Sequence, residues 1–98
     1  MIKYNQSTLD KLEAIPEKSG YVLRYERGNF QSGYCILEHK KVVVLNKFLQ
    51  TEGRVNTLAE LIPQLDILKE QLDEGLRKLY EKIMSDALID GASAADTH

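Results

Sequence analysis

Four apolar residues stand in a row in the middle of the chain, Val42 to Leu45, within the segment KVVVLNK. Successive side chains of a β-strand point to opposite faces of the sheet, so this strand places apolar groups on both faces. An antiparallel sheet with one face open to water would instead alternate apolar and polar residues. The sequence therefore predicts a strand whose second face is at least partly covered, either by helices of this chain or by a second copy of it.

Two further segments, residues 21–26 and 34–38, are rich in aromatic and aliphatic residues and predict strands. The loop between them is bracketed by Gly28 and Gly33, whose permissive backbone suits a bend. The dipeptide His39-Lys40 is short enough for a tight hairpin turn before the third strand, although it lacks the favoured Asn-Gly pair. The simplest sheet that these segments can form is a three-stranded antiparallel β-meander.

One short helix is predicted before the strands and another after them. The first covers residues 8–15, with Ser7 as its N-cap and Pro16 as its limit. The second follows Thr51 as N-cap and is ended by Pro63. Together with a longer helix near the carboxyl end, this second helix is expected to form a helical hairpin that packs with the sheet.

The longer helix is predicted by a stripe of leucine and isoleucine residues that follows a 3.6-residue period. Its N-cap would be Asp66, and beyond residue 86 the sequence becomes small and polar. We therefore expect one α+β domain over residues 1–86 and a flexible tail over residues 87–98. The stripe consists of Leu65, Leu68, Leu72, Leu76, Leu79 and Ile83.

Length, charge and cysteine content restrict the class of protein. A chain of 98 residues is one domain, and it contains no apolar run of the roughly 18 residues that span a bilayer. The amino terminus lacks the apolar segment of a secretory signal, and the single cysteine, Cys35, suits a reducing compartment. We expect a cytoplasmic protein. The basic residues are too sparse to predict nucleic-acid binding, and no membrane association is expected.

The residues that could carry catalysis or bind a metal are few. Cys35 and His39 have the chemistry of a nucleophile and its base, but along a strand their α-carbons lie about 13 Å apart, at ~3.3 Å per residue. His39 and His98 are the only histidines, and no zinc-binding or phosphate-binding motif is present. We therefore expect no metal, no cofactor and no enzymatic activity, with Cys35 as a buried and unreactive thiol.

One segment resembles the middle of the ImmA/IrrE-type zincin-like peptidase domains, in which a β-hairpin ending in Asn precedes a helix of pattern R-x-x-L-A-H-E-L-x-H. The corresponding stretch has Asn46 at a strand end, then Arg54 and the run Leu58–Leu61 in comparable order. The histidines of the pattern are absent, since Glu60 follows Ala59 directly. The resemblance thus implies an α+β fold whose zinc site is missing, and it transfers no catalytic residue.

A small interaction or structural protein is the function that these observations favour. It would be non-enzymatic and would associate with itself or with a protein partner, through the sheet or through the last helix. The candidate interaction surface consists of the apolar residues off the leucine stripe, which are Ile67, Tyr80 and Met84. The alternative is a small-molecule-binding or enzymatic domain, with a pocket between sheet and helices that Tyr25, Tyr34 or Cys35 would line.

Overall fold

A computed structural model describes the backbone of residues 3–96 and the side chains of residues 3–36 and 38–87. It confirms the α+β class, with helices and strands that follow each other along the chain as one helix, three strands and two helices. Two 3-10 turns, Ile62–Gln64 and Lys69–Gln71, lie between the last two helices. The main elements are α1 (Gln6–Lys18), β1 (Tyr21–Glu26), β2 (Gly33–Leu37), β3 (Lys40–Asn46), α2 (Thr51–Leu61) and α3 (Glu74–Asp96).

The sheet is mixed, so the predicted antiparallel meander is wrong. Its strand order is β1-β3-β2, with β1 parallel to β3 and β2 antiparallel to β3. The central strand β3 is the apolar run Val42–Leu45 with its flanking residues. A parallel pair needs a connection of a dozen or more residues, and the link from β1 to β3 has that length because it contains β2. A meander would have placed β2 in the centre.

The turn between β2 and β3 is formed by Glu38 and His39, one residue earlier than the predicted His39-Lys40. Both residues have positive φ angles, 48° and 70°. A two-residue turn with both φ angles positive matches the right-handed twist of the flanking strands, and Asn and Gly adopt it at the lowest cost. Here two residues that rarely enter the left-handed region occupy it instead.

The helices pack on one face of the sheet. Val43 and Leu45 of β3 are fully buried against them, together with Leu12 of α1 and Leu58 of α2. The alternate residues of β3 point to the opposite face, which we call the outer face. On this face Val42 of the central strand is 8% exposed but lies outside the main core cluster, while Val22 of β1 is 50% exposed. Of the two covers that the sequence allows, helices of this chain are not seen on this face of the described residues, and a second copy stays a prediction.

The ends of the first two helices differ from the prediction. Asn5 caps α1, its Oδ1 accepting from the Thr8 backbone N–H at 2.8 Å, while Ser7 lies inside the helix. Pro16 does not end α1 but lies in its last turn, where its ring is fully buried. Thr51 is the first residue of α2 rather than its cap.

The last helix begins later than its leucine stripe. Leu65 and Leu68 lie in the irregular segment before α3, where the backbone N–H of Leu68 donates to the buried Ser19 Oγ at 2.8 Å. Asp73 caps α3 instead of Asp66, its Oδ1 accepting from the Leu76 N–H at 2.8 Å. The helical backbone continues to Asp96 and so includes most of the predicted tail, whose flexibility stays a prediction.

The part of the chain that the structure describes contains no helix that is both long and apolar enough to cross a membrane.

Candidate functional site

The loop of residues 27–32 crosses over the carboxyl end of β3, and Asn46 fixes it there. The Asn46 Nδ2 donates to the carbonyl oxygens of Gly28 and Phe30, at 2.9 and 3.1 Å. The backbone N–H of Asn46 donates to Ser32 Oγ at 2.9 Å, and its Oδ1 accepts from the Phe48 N–H at 3.0 Å. Asn46 thus connects the loop before β2 to the end of β3. Its position at the end of an apolar strand did not predict this role.

A second group of contacts joins the helices to the same end of the sheet. The Arg54 guanidinium lies over the Tyr25 ring, 4.5 Å from its centre, and donates to the carbonyl oxygens of Leu49 and Lys47 at 2.8 and 3.1 Å. The Tyr25 hydroxyl in turn donates to a Glu13 carboxylate oxygen on α1. Burial raises the pKa of the Tyr25 hydroxyl well above its ordinary value, and the hydrogen bond to Glu13 and the Glu13 charge raise it further.

An open cleft of about 550 Å³ lies beside β2, between the crossing loop and α2. A volume of this size is within the range of small-molecule sites. Its walls combine hydroxyl and amide groups with aromatic and aliphatic side chains. They include Phe30, Ser32, Tyr34, Asn46, Thr57 and Glu60.

The side chains that line this cleft offer mainly hydrogen-bonding and apolar groups. Glu60 is the only carboxylate among its lining residues, and they include no histidine, cysteine or lysine. Ser32 Oγ already accepts from the Asn46 backbone N–H at 2.9 Å. Of the three residues predicted for a pocket, Tyr34 lines this cleft, whereas Tyr25 and Cys35 do not.

The strand β2 is an edge of the sheet with unusually apolar side chains. Ile36 is 65% exposed and Tyr34 is 43% exposed, and both lie on the helix side, since they pair with Lys41 and Val43 of β3. The five residues of β2 include no charged residue and no proline. Edge strands usually carry such residues because they prevent pairing with another chain. This edge lacks that protection.

Cys35 and His39 lie in different surroundings. His39 lies in the turn and lines a shallow depression with Val22, Lys40 and Lys41, to which Cys35 does not contribute. Cys35 lies on the outer-face side of β2, beside Val42, and is half-buried rather than fully buried as expected. Across the described residues, no three His, Cys, Asp or Glu side chains come together to hold a metal ion. His98 lies outside those residues.

The three residues of the candidate interaction surface all lie near the chain's own core. Ile67, in the segment before α3, and Tyr80, on α3, are half-buried and pack against the core cluster. Met84 is half-buried on α3. Their role in association stays a prediction, and the larger exposed apolar area is on β2.

A comparison of the chain with family models, with curated proteins and with solved structures finds no match. The resemblance to ImmA/IrrE-type domains therefore stays a prediction.

Proposed function

We propose that this protein is a non-enzymatic, cytoplasmic interaction protein that associates with a second copy of itself through the edge strand β2. The observation that carries the proposal is the exposure of Ile36 and Tyr34 on an edge without charged side chains. Exposed apolar surface at an unpaired strand is typical of a protein interface.

The size of this surface favours a concentration-dependent association. Burying a whole side chain of this type contributes roughly 1.5–3 kcal/mol, and the exposed parts of Ile36 and Tyr34 together amount to about one such side chain per copy. Each new backbone hydrogen bond adds about 0.5–1.5 kcal/mol. Association itself costs roughly 4–15 kcal/mol, so a dimer built from these terms is weak. Monomers and dimers should therefore exchange.

Sedimentation equilibrium over a wide range of protein concentration tests the proposal. We expect the mean mass to rise from that of one chain toward that of two. The substitution Ile36→Lys should abolish the rise because it places a charge on the paired edge. The matched control is Phe48→Lys, which changes an apolar residue of similar exposure, 71%, in the loop after β3. A mass of one chain at every concentration would refute self-association.

A second candidate function is supported by the cleft beside β2. Its single carboxylate, Glu60, and its aromatic residues, Phe30 and Tyr34, suit a planar small molecule that carries an amine or another hydrogen-bond donor. A thermal-shift screen with amines, nucleosides and amino acids tests this candidate. We expect a saturable rise in melting temperature that Glu60→Gln weakens, while Glu52→Gln on the exposed start of α2 leaves it unchanged. No rise with any compound would count against a ligand of this class.

A further inference from the structure

The backbone N–H and C=O groups of β2 that point away from the sheet determine how this strand can pair with β2 of a second copy. Leu37 and Lys40 flank the two-residue turn and face each other across the hairpin. The two residues that flank such a turn form two backbone hydrogen bonds with each other. Along the hairpin, hydrogen-bonded pairs then alternate with pairs that form no backbone hydrogen bonds. Gly33, Cys35 and Leu37 therefore direct their N–H and C=O groups toward β3. Tyr34 and Ile36 direct theirs outward, away from the sheet.

We infer that two copies of this chain pair their β2 strands antiparallel about a two-fold axis that passes beside Cys35, forming a continuous six-stranded sheet. This inference rests on the proposed self-association and specifies its register. In this register Tyr34 of one copy stands opposite Ile36 of the other, so that the outward groups of both residues are paired. The two contacts together form four backbone hydrogen bonds. A two-fold axis at Tyr34 or at Ile36 would form only two within the five residues of β2.

The side chains agree with this register. Tyr34 and Ile36 lie on the same side of the sheet. Tyr34 of each copy therefore contacts Ile36 of the other, and such pairs of an aromatic and a β-branched residue stabilise neighbouring strands. Both are exposed, Ile36 at 65% and Tyr34 at 43%. The five residues of β2 place no charged side chain opposite another one across the axis, because none of them is charged. The pairing thus removes apolar surface from water without opposing like charges.

The other edge of the sheet does not offer the same pairing. β1 carries Arg24 and Glu26 on its outer face, and they form a salt bridge at 3.1 Å. Antiparallel pairing of two β1 strands would desolvate these exposed charges in part, at a cost that β2 does not incur. The sheet is therefore extended at β2.

The register places the two Cys35 residues directly opposite each other in a pair without backbone hydrogen bonds. The α-carbons of such a pair lie about 4.5 Å apart, within the range of about 4.4–6.8 Å that a disulfide needs. If the axis is shifted to Tyr34 or to Ile36, the two cysteines lie about 8 Å apart and cannot be bridged. Cys35 is half-buried and has no disulfide partner within its own chain, since it is the only cysteine. Its cross-linking therefore reports the register.

The experiment treats the full chain with diamide, which is the oxidant, at a concentration where sedimentation shows the dimer. The reaction is stopped with N-ethylmaleimide, and the covalent dimer is measured by non-reducing electrophoresis and mass spectrometry. The control is the double variant Cys35→Ser/Val22→Cys, which moves the single thiol to the half-exposed outer-face position of β1. We expect Cys35 to form the covalent dimer at least about tenfold faster than the control, because pairing raises the local thiol concentration.

The outcomes separate this inference from the proposed function. A dimer in sedimentation with fast cross-linking through Cys35 supports both. A dimer whose Cys35 cross-links no faster than the control thiol overturns the register and leaves self-association in place. A monomer at every concentration, with equal rates for both thiols, overturns both.

Discussion

The two edges of the sheet, β1 and β2, differ in almost every contact that they make. On β1, Tyr21 and Tyr25 each use their hydroxyl groups, which bond the Asp66 N–H at 2.9 Å and the Glu13 carboxylate respectively. The Arg24–Glu26 salt bridge adds charge on the other face of the same strand. β2 has neither feature, and its Ile36 and Tyr34 are exposed to solvent.

This difference shows which edge strand contributes its side chains to the fold and which one leaves them exposed. β1 is held by α1, by α2 through Arg54 and by the segment before α3, so its side chains already serve the fold. β2 is joined to the rest of the protein through β3 and through the loop that Asn46 holds. An edge that contributes little to the core can present its backbone to another chain. Substitutions at the two edges should therefore differ in their effect on stability and on association.

The largest expected effect comes from the part of the core beside β1. Leu45 pairs with Tyr25 and is fully buried, so Leu45→Ala should lower the free energy of unfolding by about 2–5 kcal/mol. Ile36→Ala on β2 is the matched control, with an expected change below about 0.5 kcal/mol in the monomer. Urea unfolding at low protein concentration measures both. Equal losses for the two variants would mean that Ile36 on the edge strand β2 contributes to the core as much as Leu45, which lies on β3 beside β1.

The loop between the two edges is the next test. Asn46→Ala removes two donors and one acceptor from a half-buried position, and we expect a loss of about 1–3 kcal/mol in unfolding free energy. Asn46→Asp keeps the acceptor for Phe48 but loses the donors to Gly28 and Phe30, so it separates the two contributions. Hydrogen exchange of residues 27–33 should accelerate in both variants. Unchanged exchange would show that other contacts hold the loop.

Substitutions in the turn between β2 and β3 should raise the stability of the protein. Glu38 and His39 adopt positive φ angles that cost L-residues roughly 1–2 kcal/mol each, whereas Asn and Gly adopt them readily. The double substitution Glu38→Asn/His39→Gly should therefore raise the free energy of unfolding by about 1–2 kcal/mol. It should leave self-association unchanged because the turn lies outside the paired residues. A loss of stability would indicate that the two side chains make contacts that outweigh the backbone cost.

The smallest expected effect concerns Tyr25 on β1. Tyr25→Phe removes the hydrogen bond to Glu13 and should cost about 0.5–1.5 kcal/mol near neutral pH. The pKa of Tyr25 is raised in the folded state, so the folded protein holds this proton more tightly than the unfolded chain. The associated stability is present below the ordinary tyrosine pKa of 10.0 and is lost as pH rises through the higher folded value.

Unfolding free energies of the wild type and of Tyr25→Phe, measured from neutral pH into the alkaline range, check this sign. We expect the wild type to lose its advantage above pH 10.0, so that the two curves converge. Parallel curves over the whole range would show that the Tyr25 proton is not bound more tightly in the folded state. Tyr21→Phe on the same strand serves as a control, since its hydroxyl accepts from a backbone N–H and has no carboxylate partner among its hydrogen bonds.

Local sequence patterns predicted most of the elements but not their ends. The three strands and the first two helices lie close to where the apolar spacing placed them, because periodicity is a property of neighbouring residues. The start of α3 was predicted several residues too early. Leu65 and Leu72 are both buried, as the stripe predicted, but they are not in one helix. A buried leucine fits a helical pattern and an irregular segment equally well, and the contact from Ser19 to the Leu68 N–H is non-local.

Fewer features of the candidate site than of the fold were predicted from the sequence. Tyr34 was predicted to line a pocket and does line the cleft. Asn46 and Arg54 entered only through a family resemblance, and their roles come from carbonyl groups that the folded chain brings to them. The exposure of Ile36 was not predicted, since an apolar residue in a strand is expected to be buried.

The sequence by itself determined the α+β class, the central apolar run and the lack of a metal-binding motif, because each depends on composition or short-range spacing. Only the tertiary structure decided the strand order. A loop of residues 27–32 can either turn back beside β1 or cross over the end of β3, and its local pattern is the same in both cases. The choice depends on the parallel pairing of Tyr21–Glu26 with residues 41–46, and on the hydrogen bonds of Asn46. That choice moved β2 from the centre of the sheet to its edge, where its Tyr34 and Ile36 remain exposed.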